Sequence, residues 1–186
     1  MRRRILLAAG AAALAAPAVA QGRAIRLIVP APPGGAIDLI GRLYAPRLAS
    51  RSGGQTWLVE NRAGGNNTIG AAEVARSAPD GQTFLVNADI HLMGSRVVRG
   101  LTYDPMADFT GIGRTATAPL LIVGHPQASR ATTLAELAEQ MQRDPRHYTL
   151  ASSGAGSMAH LASEGLKRRV GAAEAVVAHY RGTGPA

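Results

Sequence analysis

The sequence predicts an α/β fold arranged as two lobes. Short apolar runs alternate along the chain with segments of helical periodicity, which is the pattern of α/β proteins. Most of these runs are apolar throughout, as parallel strands are when helices cover both faces of their sheet. Two of the runs lead through a glycine-rich turn into a helix. The predicted strands span residues 25–29, 56–60, 83–87, 120–123, 148–152 and 175–179.

A secretory leader precedes the first strand. Three arginines at positions 2–4 come before an apolar stretch at residues 5–16, and Ala18-Val19-Ala20 has the small-x-small form of a cleavage site. The apolar stretch is shorter than the roughly 20 residues of a membrane-spanning helix, which makes an uncleaved anchor the weaker alternative. We therefore predict a signal peptide at residues 1–20 and export of the mature chain.

The two helices of the N-terminal half follow from apolar spacing and turn signals. The residues at positions 37, 40, 41, 44 and 48 share one face of a first helix. Pro46 lies inside this helix and is expected to kink or shorten it, because proline lacks a backbone donor. Thr68 is the predicted N-cap of a second helix over residues 69–77.

Two further helices are predicted from their capping residues. Thr133 and Glu136 have the spacing of a capping box at the start of one helix. Ser157 is the predicted N-cap of the other helix, and Gly171 lies just beyond the end of that helix.

The chain is expected to divide near residue 117. Residues 96–113 are interpreted as a loop, and the small residues and threonines at 114–119 are typical of a crossing between lobes. Lobe 1 is accordingly assigned to residues 21–117 and lobe 2 to residues 118–186. A final glycine turn places Pro185 at the first position of a further helix, so the second lobe is expected to be incomplete and the chain truncated.

Composition excludes several classes of function. The chain has no cysteine, which excludes a thiolate metal site, a disulfide framework and a cysteine nucleophile. The five histidines lack metal-ligand spacing and no dinucleotide fingerprint is complete, so we expect neither a metal nor a cofactor. The net charge is +8, but the basic residues are scattered and only 4% of residues are aromatic, so we expect no nucleic-acid partner.

Two glycine-rich turns are the candidate binding elements. One is Pro32-Pro33-Gly34-Gly35, and the other is the Ser-Ser-Gly-Ala-Gly-Ser turn at residues 152–157. A helix that begins after such a turn presents free backbone N–H groups to an anion, although glycine also makes tight turns where no ligand binds. One helix terminus contributes about 0.3–1 kcal/mol, whereas micromolar binding needs roughly 8 kcal/mol. Capture of a small acid therefore requires both turns on opposite walls of one cleft.

Three polar residues near these turns have open roles. Asp38 would repel a carboxylate, so we interpret it first as a first-turn acid that bonds loop amides. Asp89 follows the third strand at the carboxyl edge of the sheet, where α/β proteins bind ligands, and a solvent-exposed loop is an equal alternative. His160 lies opposite the apolar face of its helix, where it is either solvated or directed into the cleft.

A series of short motifs runs in order through the mature chain. The segments are residues 29–35 with Asp38 and Arg42, 59–62 with 69–71, 78–81, 103–105 with 108–109, 151–157 with 160–162, and 180–186. Taken in this order, they resemble the periplasmic solute-binding proteins of tripartite tricarboxylate transporters, also called the Bug or TctC-like family. One departure is Asn66-Asn67-Thr68, where the family usually has a glycine pair and Asn, but Asn tolerates the positive φ of such a turn.

The resemblance implies a type II periplasmic-binding-protein fold, a Venus flytrap of two Rossmann-like lobes in the periplasm. It also implies a small carboxylate ligand, a membrane permease as partner and no enzymatic activity. Family members hold carboxylates largely through main-chain amides of the two glycine-rich loops. Together with Asp89 and His160, the predicted ligand-binding residues are Gly34, Gly35, Ala36, Ile37, Asp38, Ser153, Gly154, Gly156 and Ser157.

Two other functional interpretations stay open. A small exported α/β hydrolase would use His160 or His179 with Ser153 or Ser157, but the sequence has no Gly-x-Ser-x-Gly nucleophile elbow. A truncated product would be inert if its unpartnered strands exposed sheet edge and apolar surface.

Overall fold

The computed structural model describes residues 23–184. The signal peptide predicted at residues 1–20 and the helix start expected at Pro185 lie outside these residues. In the described part, five strands form two parallel sheets, one of three strands and one of two, with five α-helices between and around them. The α/β class predicted from the sequence is confirmed.

The first sheet is built around the buried strand β1 (Ile25–Val29). The strands β2 (Trp57–Asn61) and β3 (Thr83–Leu85) flank β1 in the order β2-β1-β3, and both run parallel to it. Ile28 and Val29 are fully buried at consecutive positions. Burial on both faces explains why Leu27, Ile28 and Val29 are apolar at consecutive positions rather than alternating, with Arg26 the one charged residue of the strand.

Helix α1 (Ala36–Arg51) connects β1 to β2 and packs closely on the sheet. A Cβ at Gly41 would lie 3.1 Å from Val29 Cγ2, so only a small residue fits at this crossing. The helix continues through Pro46 to Arg51, and the expectation that this proline shortens the helix is therefore wrong. Pro46 is exposed, so the helix loses one backbone hydrogen bond there without a clash against the sheet.

Helix α2 (Thr68–Ala75) connects β2 to β3 and begins one residue earlier than predicted. Asn67 is its N-cap, while Thr68 Oγ1 donates a hydrogen bond to Gly65 O at 2.6 Å instead of capping the helix. Asn66 and Asn67 take φ values of +58° and +69°. Asparagine therefore supports the left-handed turn, as expected from its short polar side chain.

Arg26 crosslinks the first sheet and helix α2. Its guanidinium donates to Glu60 at 2.7 and 2.9 Å and to Glu73 at 2.5 Å. The hydrogen bonds to Glu60 and Glu73 raise the pKa of Arg26 despite its partial burial, and the bond from Arg26 lowers the pKa of Glu60. These ion pairs hold β1, β2 and α2 together at one face of the sheet.

The second sheet pairs β4 (Thr149–Ser152) with β5 (Val176–His179) in parallel. Helix α4 (Leu134–Arg143) and a short 3₁₀ helix (Pro145–His147) precede β4, and helix α5 (Met158–Val170) connects the two strands. The core of this unit is apolar. It contains buried Met141, Ala172 and Ala175, with Leu137, Tyr148, Leu150, Leu166 and Val170 packed against them.

The capping residues predicted for α4 and α5 are confirmed. Thr133 Oγ1 accepts from Glu136 N at 3.2 Å, and Ser157 Oγ accepts from His160 N at 3.2 Å. Gly171 ends α5 with a φ of +71°, the left-handed conformation that terminates many helices.

Residues 120–123 do not form the predicted strand. All residues from 110 to 128 are exposed, and Val123 keeps 86% of its surface accessible. An apolar run becomes a strand only when a neighbour takes its backbone hydrogen bonds, and within residues 23–184 no strand pairs with this run. The boundary predicted at residue 117 falls in this irregular segment.

Helix α3 (Ile90–Val97) was not predicted from the sequence. It follows β3 and the short turn at residues 86–89, and its residues Ile90 and Gly94 are buried. This helix lies directly after Asp89, so it fixes the position of that carboxylate at the edge of the first sheet.

Candidate ligand-binding site

The loops that follow the strands of the two sheets meet at one place. In a parallel sheet the carboxyl ends of the strands share an edge, and α/β proteins bind ligands at that edge. Here three hydrogen bonds join the loops at this edge of the first sheet to the loops at the same edge of the second sheet. Asn66 Nδ2 donates to Ala155 O at 2.7 Å, Met158 N donates to Asp89 Oδ2 at 2.6 Å, and Ala36 N donates to Thr183 Oγ1 at 3.0 Å.

The first loop, residues 32–38, turns β1 into α1. Gly34 has a φ of +83°, a conformation that favours glycine, and Gly35 is the buried N-cap of the helix. Within residues 23–184, the N–H groups of Ile37 and Asp38 have no hydrogen-bond acceptor. The loop therefore presents two free backbone donors at the positive end of α1.

The carboxylate of Asp38 faces into the protein and is only 2% exposed. It accepts hydrogen bonds from Gly34 N at 2.8 Å, Arg42 Nε at 3.0 Å and Asn61 Nδ2 at 2.9 Å. Burial alone would raise the pKa of Asp38, but the bonds from Arg42, Gly34 and Asn61 outweigh it and lower the pKa to about 2. Asp38 thus braces the loop through the backbone amide of Gly34, in line with the role we expected first.

The second loop, residues 153–157, packs against the first sheet unit. Gly154 and Gly156 are buried, with φ values of +142° and +79°. A Cβ at Gly154 would lie 2.6 Å from Asn66 Oδ1, and one at Gly156 would lie 3.0 Å from Met93 Cβ. The backbone conformation and this close approach both require glycine at these two positions.

The N-terminus of α5 is occupied by side chains from both sheet units. Ser157, only 3% exposed, caps the helix, and Gly156 N donates to His160 Nδ1 at 2.9 Å. His160 Nδ1 therefore acts as a hydrogen-bond acceptor in this contact. Met158 N, the first amide of the helix, donates to Asp89 Oδ2 at 2.6 Å. A carboxylate from the opposite unit thus already lies where the helix attracts anions.

His160 and His179 form a pair beside this helix terminus, with ring centroids 4.5 Å apart. His179 Nδ1 lies 2.6 Å from Ser152 Oγ, and Ser152 is buried with 1% exposure. The structure therefore joins His179 to a buried serine, and not to Ser153 or Ser157 as the hydrolase interpretation required. Among residues 23–184, neither ring is hydrogen-bonded to an accessible hydroxyl.

The turn after β5, residues 181–184, contacts both glycine-rich loops. Gly182 N donates to Ser153 O at 3.1 Å, and a Cβ at Gly182 would lie 3.6 Å from Pro32 Cδ. The neighbouring Thr183 caps Ala36 N, as described above, and lies 3.6 Å from the Cβ position of Gly35. The two predicted loops are therefore neighbours, joined through this third turn.

The segment after Asp89 forms a separate cluster. His91 packs against the rings of Tyr103 and Phe109, and burial lowers the pKa of His91 although a hydrogen bond to Pro105 O opposes the shift. A cavity of about 650 Å³ is lined by residues 95–101 and 103–105, and none of the predicted ligand-binding residues lines it.

Two contributors to the site were missed by the sequence analysis. Asn66 was recognised only as a turn residue, and Thr183 only as part of a glycine turn. Their position in the sequence could have indicated a role in the site, because each residue follows the carboxyl end of a predicted strand, where α/β proteins bind ligands. Their partners on the other sheet unit were not predictable, since the contacts depend on how the two units pack.

No three His, Asp or Glu side chains between residues 23 and 184 are grouped so that they would hold a metal ion. No helix in this part of the chain combines the length and the apolar character needed to cross a bilayer.

Two parallel α/β units whose glycine-rich loops face each other define the class of two-lobed binding proteins. Residues 42–186 match the tripartite tricarboxylate transporter family receptor, TctC, and the chain belongs to that family. BugT of Bordetella pertussis is 34% identical over 180 residues, which cover 94% of this chain and 54% of BugT. The chain spans about half the length of the curated relatives it matches.

Solved structures give the same result. MatC from Rhodopseudomonas palustris, with bound malate, superposes with a TM-score of 0.77 at 28% identity over 88% of this chain and 55% of MatC. A second R. palustris protein, solved with adipate, has a TM-score of 0.71 at 30% identity over 88% of this chain and 54% of its own. The periplasmic-binding-protein fold implied by the resemblance is confirmed, with only part of that fold present.

Proposed function

We propose that this protein binds a small carboxylate in the periplasm and delivers it to the membrane permease of a tripartite tricarboxylate transporter. Lobe 1, residues 21–117, supplies the loop at residues 32–38, and lobe 2, residues 118–186, supplies the loop at residues 153–157. One observation carries the proposal. Glycine-rich loops lead into the N-termini of α1 and α5, and the turn at residues 181–184 contacts both loops.

The backbone of this site suits a carboxylate. Ile37 and Asp38 offer free N–H groups at the positive end of α1, and the inward-facing carboxylate of Asp38 keeps its charge away from them. Hydrogen bonds to a charged group contribute about 1.5–3 kcal/mol each. Several such bonds, with water excluded between the loops, reach the roughly 8 kcal/mol of micromolar binding.

The relatives support this class of ligand. The structure of MatC holds malate, and the second R. palustris structure holds adipate. Each of these molecules carries two carboxylates, one at either end, which suits the two helix N-termini behind the facing loops. The predicted contributors are Gly34 to Asp38 and Asp89 on one side and Ser153, Gly154, Gly156, Ser157 and His160 on the other.

Export follows from the leader at residues 1–20. Three arginines, an apolar stretch and the Ala18-Val19-Ala20 site direct the chain out of the cytoplasm, and cleavage leaves Gln21 as the first residue. Cell fractionation followed by mass spectrometry of the N-terminus tests this step. A cytoplasmic product that retains residues 1–20 would contradict it.

The proposed role is that of a receptor and not of an enzyme. The family that the chain matches is a receptor family, and we assign no catalytic residue, cofactor or metal. The serine nearest to a histidine ring, Ser152, is buried and forms part of the loop support. The carboxylate is accordingly bound and released without chemical change.

Isothermal titration calorimetry of the chain tests the proposal directly. We expect saturable heat with malate or adipate and none with malamide or adipamide, the neutral diamides of the same shape. The diamides are matched controls because they keep the size and shape of the acids but lack the negative charge that the helix termini attract, and carry an NH₂ donor in place of one acceptor oxygen. Equal heat from acid and diamide, or no heat from a panel of di- and tricarboxylates, would overturn the proposal.

A further inference from the structure

We propose that the carboxylate of Asp89 is an internal competitor that the ligand must displace from the first amide of α5. The inference rests on the proposed function, because it concerns the lobe 2 half of the same site. It makes Asp89 a residue that determines specificity and not a donor or acceptor for the bound ligand.

The position of the Asp89 side chain carries the inference. Asp89 is the N-cap residue of α3, yet its side chain does not cap that helix. Its Oδ2 accepts instead from Met158 N at 2.6 Å, on a helix of the other sheet unit. Asp89 itself is exposed, so water can take over its hydrogen bonds when it moves away.

The chemistry of this contact is the chemistry proposed for the ligand. The N-terminus of a helix attracts negative charge, and the N–H of its first residue is free to bind an anion. A carboxylate from a bound solute and the carboxylate of Asp89 compete for that one N–H, and their like charges repel. The apparent ligand affinity is therefore lowered in proportion to the fraction of molecules in which the Met158 amide is free of Asp89.

A second contact between the units provides the matched comparison. Asn66 Nδ2 donates to Ala155 O at 2.7 Å, so it holds the same loop through a carbonyl oxygen that no carboxylate ligand would use. Loss of Asn66 weakens the contact between the lobes without freeing a donor. Loss of Asp89 weakens it and also frees the Met158 amide.

Competition of this kind acts only on solutes whose second acidic group reaches α5. A monocarboxylate bound at the free amides of α1 has no second group to replace Asp89 at α5. A dicarboxylate of suitable length presents one. Removal of Asp89 is therefore expected to strengthen malate binding more than acetate binding.

Four variants separate competition from other effects. Asp89→Ala removes the competitor, and Asp89→Asn keeps its shape without its charge. Met158→Pro removes the shared N–H at the first helical position, where proline is accommodated because Ser157 before it is extended at φ −67° and ψ 159°. Met158→Ala keeps the N–H and controls for the side chain, which is 53% exposed.

We expect Asp89→Ala to tighten malate binding about tenfold by calorimetry, the value of one hydrogen bond to a charged group. Asp89→Asn tightens it less, and Asn66→Ala does not tighten it. In the Met158→Pro background, Asp89→Ala has no further effect, whereas in Met158→Ala the gain persists. Circular dichroism tests whether each variant is folded. If Asp89→Ala is unfolded, the malate affinity of Asp89→Asn decides the result.

Three results would overturn the inference. Asp89 variants that bind malate no better than the unaltered chain show that the carboxylate does not compete. A tenfold gain that survives in Met158→Pro shows that the effect arises elsewhere. If neither the unaltered chain nor any variant binds malate or adipate, the proposed function fails and the inference fails with it.

Discussion

Replacement of Asp38 by Asn tests whether the first loop is braced by a buried charge. The carboxylate is 2% exposed and accepts three hydrogen bonds, from Gly34 N, Arg42 Nε and Asn61 Nδ2. An amide at this position keeps one acceptor oxygen but loses the charge and places an NH₂ group against existing donors. The variant should therefore unfold more readily at neutral pH.

The magnitude follows from the depressed pKa. These bonds lower the pKa of Asp38 from 3.8 to about 2, and one pKa unit corresponds to 1.36 kcal/mol, so the ionised group stabilises the fold by about 2 kcal/mol. Because the folded pKa is the lower one, this contribution is complete above about pH 4. It is lost as the pH falls through about 2.

Urea unfolding at pH 6 and at successively lower pH values measures this contribution. We expect Asp38→Asn to be about 2 kcal/mol less stable than the unaltered chain at pH 6 and to converge with it near pH 2. Asp80→Asn is the control, since this exposed carboxylate accepts a hydrogen bond from the nearby Gln82 N and lies 3.7 Å from Arg23. The substitution should change the free energy of unfolding by less than about 0.5 kcal/mol. A stability difference that stays constant between pH 6 and 2 would refute the reasoning.

Three other predictions concern the second unit, each checked by urea denaturation. Gly154→Ala should lower the free energy of unfolding by about 2–4 kcal/mol, because its φ of +142° and the 2.6 Å approach of Asn66 Oδ1 both exclude a Cβ. Its control, Gly165→Ala at an open helical position, should raise the free energy of unfolding by about 0.5–1 kcal/mol. Similar effects of the two substitutions would contradict the packing described. Met141→Ala should cost about 2–5 kcal/mol because Met141 is fully buried, and a cost below about 1 kcal/mol would show that the site is not a packed core. Ser157→Ala should cost about 1 kcal/mol by removal of the N-cap, and an unchanged midpoint would show that the cap contributes nothing.

Most of the fold was predictable because its signals are local. Strand β1 has the predicted bounds, and β2, β4 and β5 agree within one residue at either end. Thr133, Ser157 and Gly171 act at helix ends through neighbours only three or four positions away. Local spacing and capping chemistry determine such elements, so the sequence alone is sufficient to place them.

The failures share a different cause. The run at residues 120–123 has the composition of a strand, but a strand also needs a partner, and pairing is not encoded in the run itself. Thr68 was assigned as a cap because it is a good capping residue, while the left-handed Asn67 before it set the helix start instead. Helix α3 was not predicted although its buried residues Ile90 and Gly94 lie four positions apart.

The candidate site likewise has a part that was predictable from local sequence and a part that was not. Its two glycine-rich loops were predictable, because a strand, a glycine turn and a helix start are consecutive in sequence. The contacts that join them were not, since Asn66, Asp89 and Thr183 each meet a residue at least 69 positions away. Only the packing of the two units brings these pairs together.

An NMR titration of the ¹⁵N-labelled chain with malate tests the central claim most directly. If the facing loops form one carboxylate site, the backbone amide signals of Ile37 and Asp38 on α1 and of Ser157 and Met158 on α5 shift together and fit one dissociation constant. Malamide should leave all four signals in place. Shifts confined to one loop, two different dissociation constants, or equal shifts with malamide would contradict a single site for an anionic solute between the lobes.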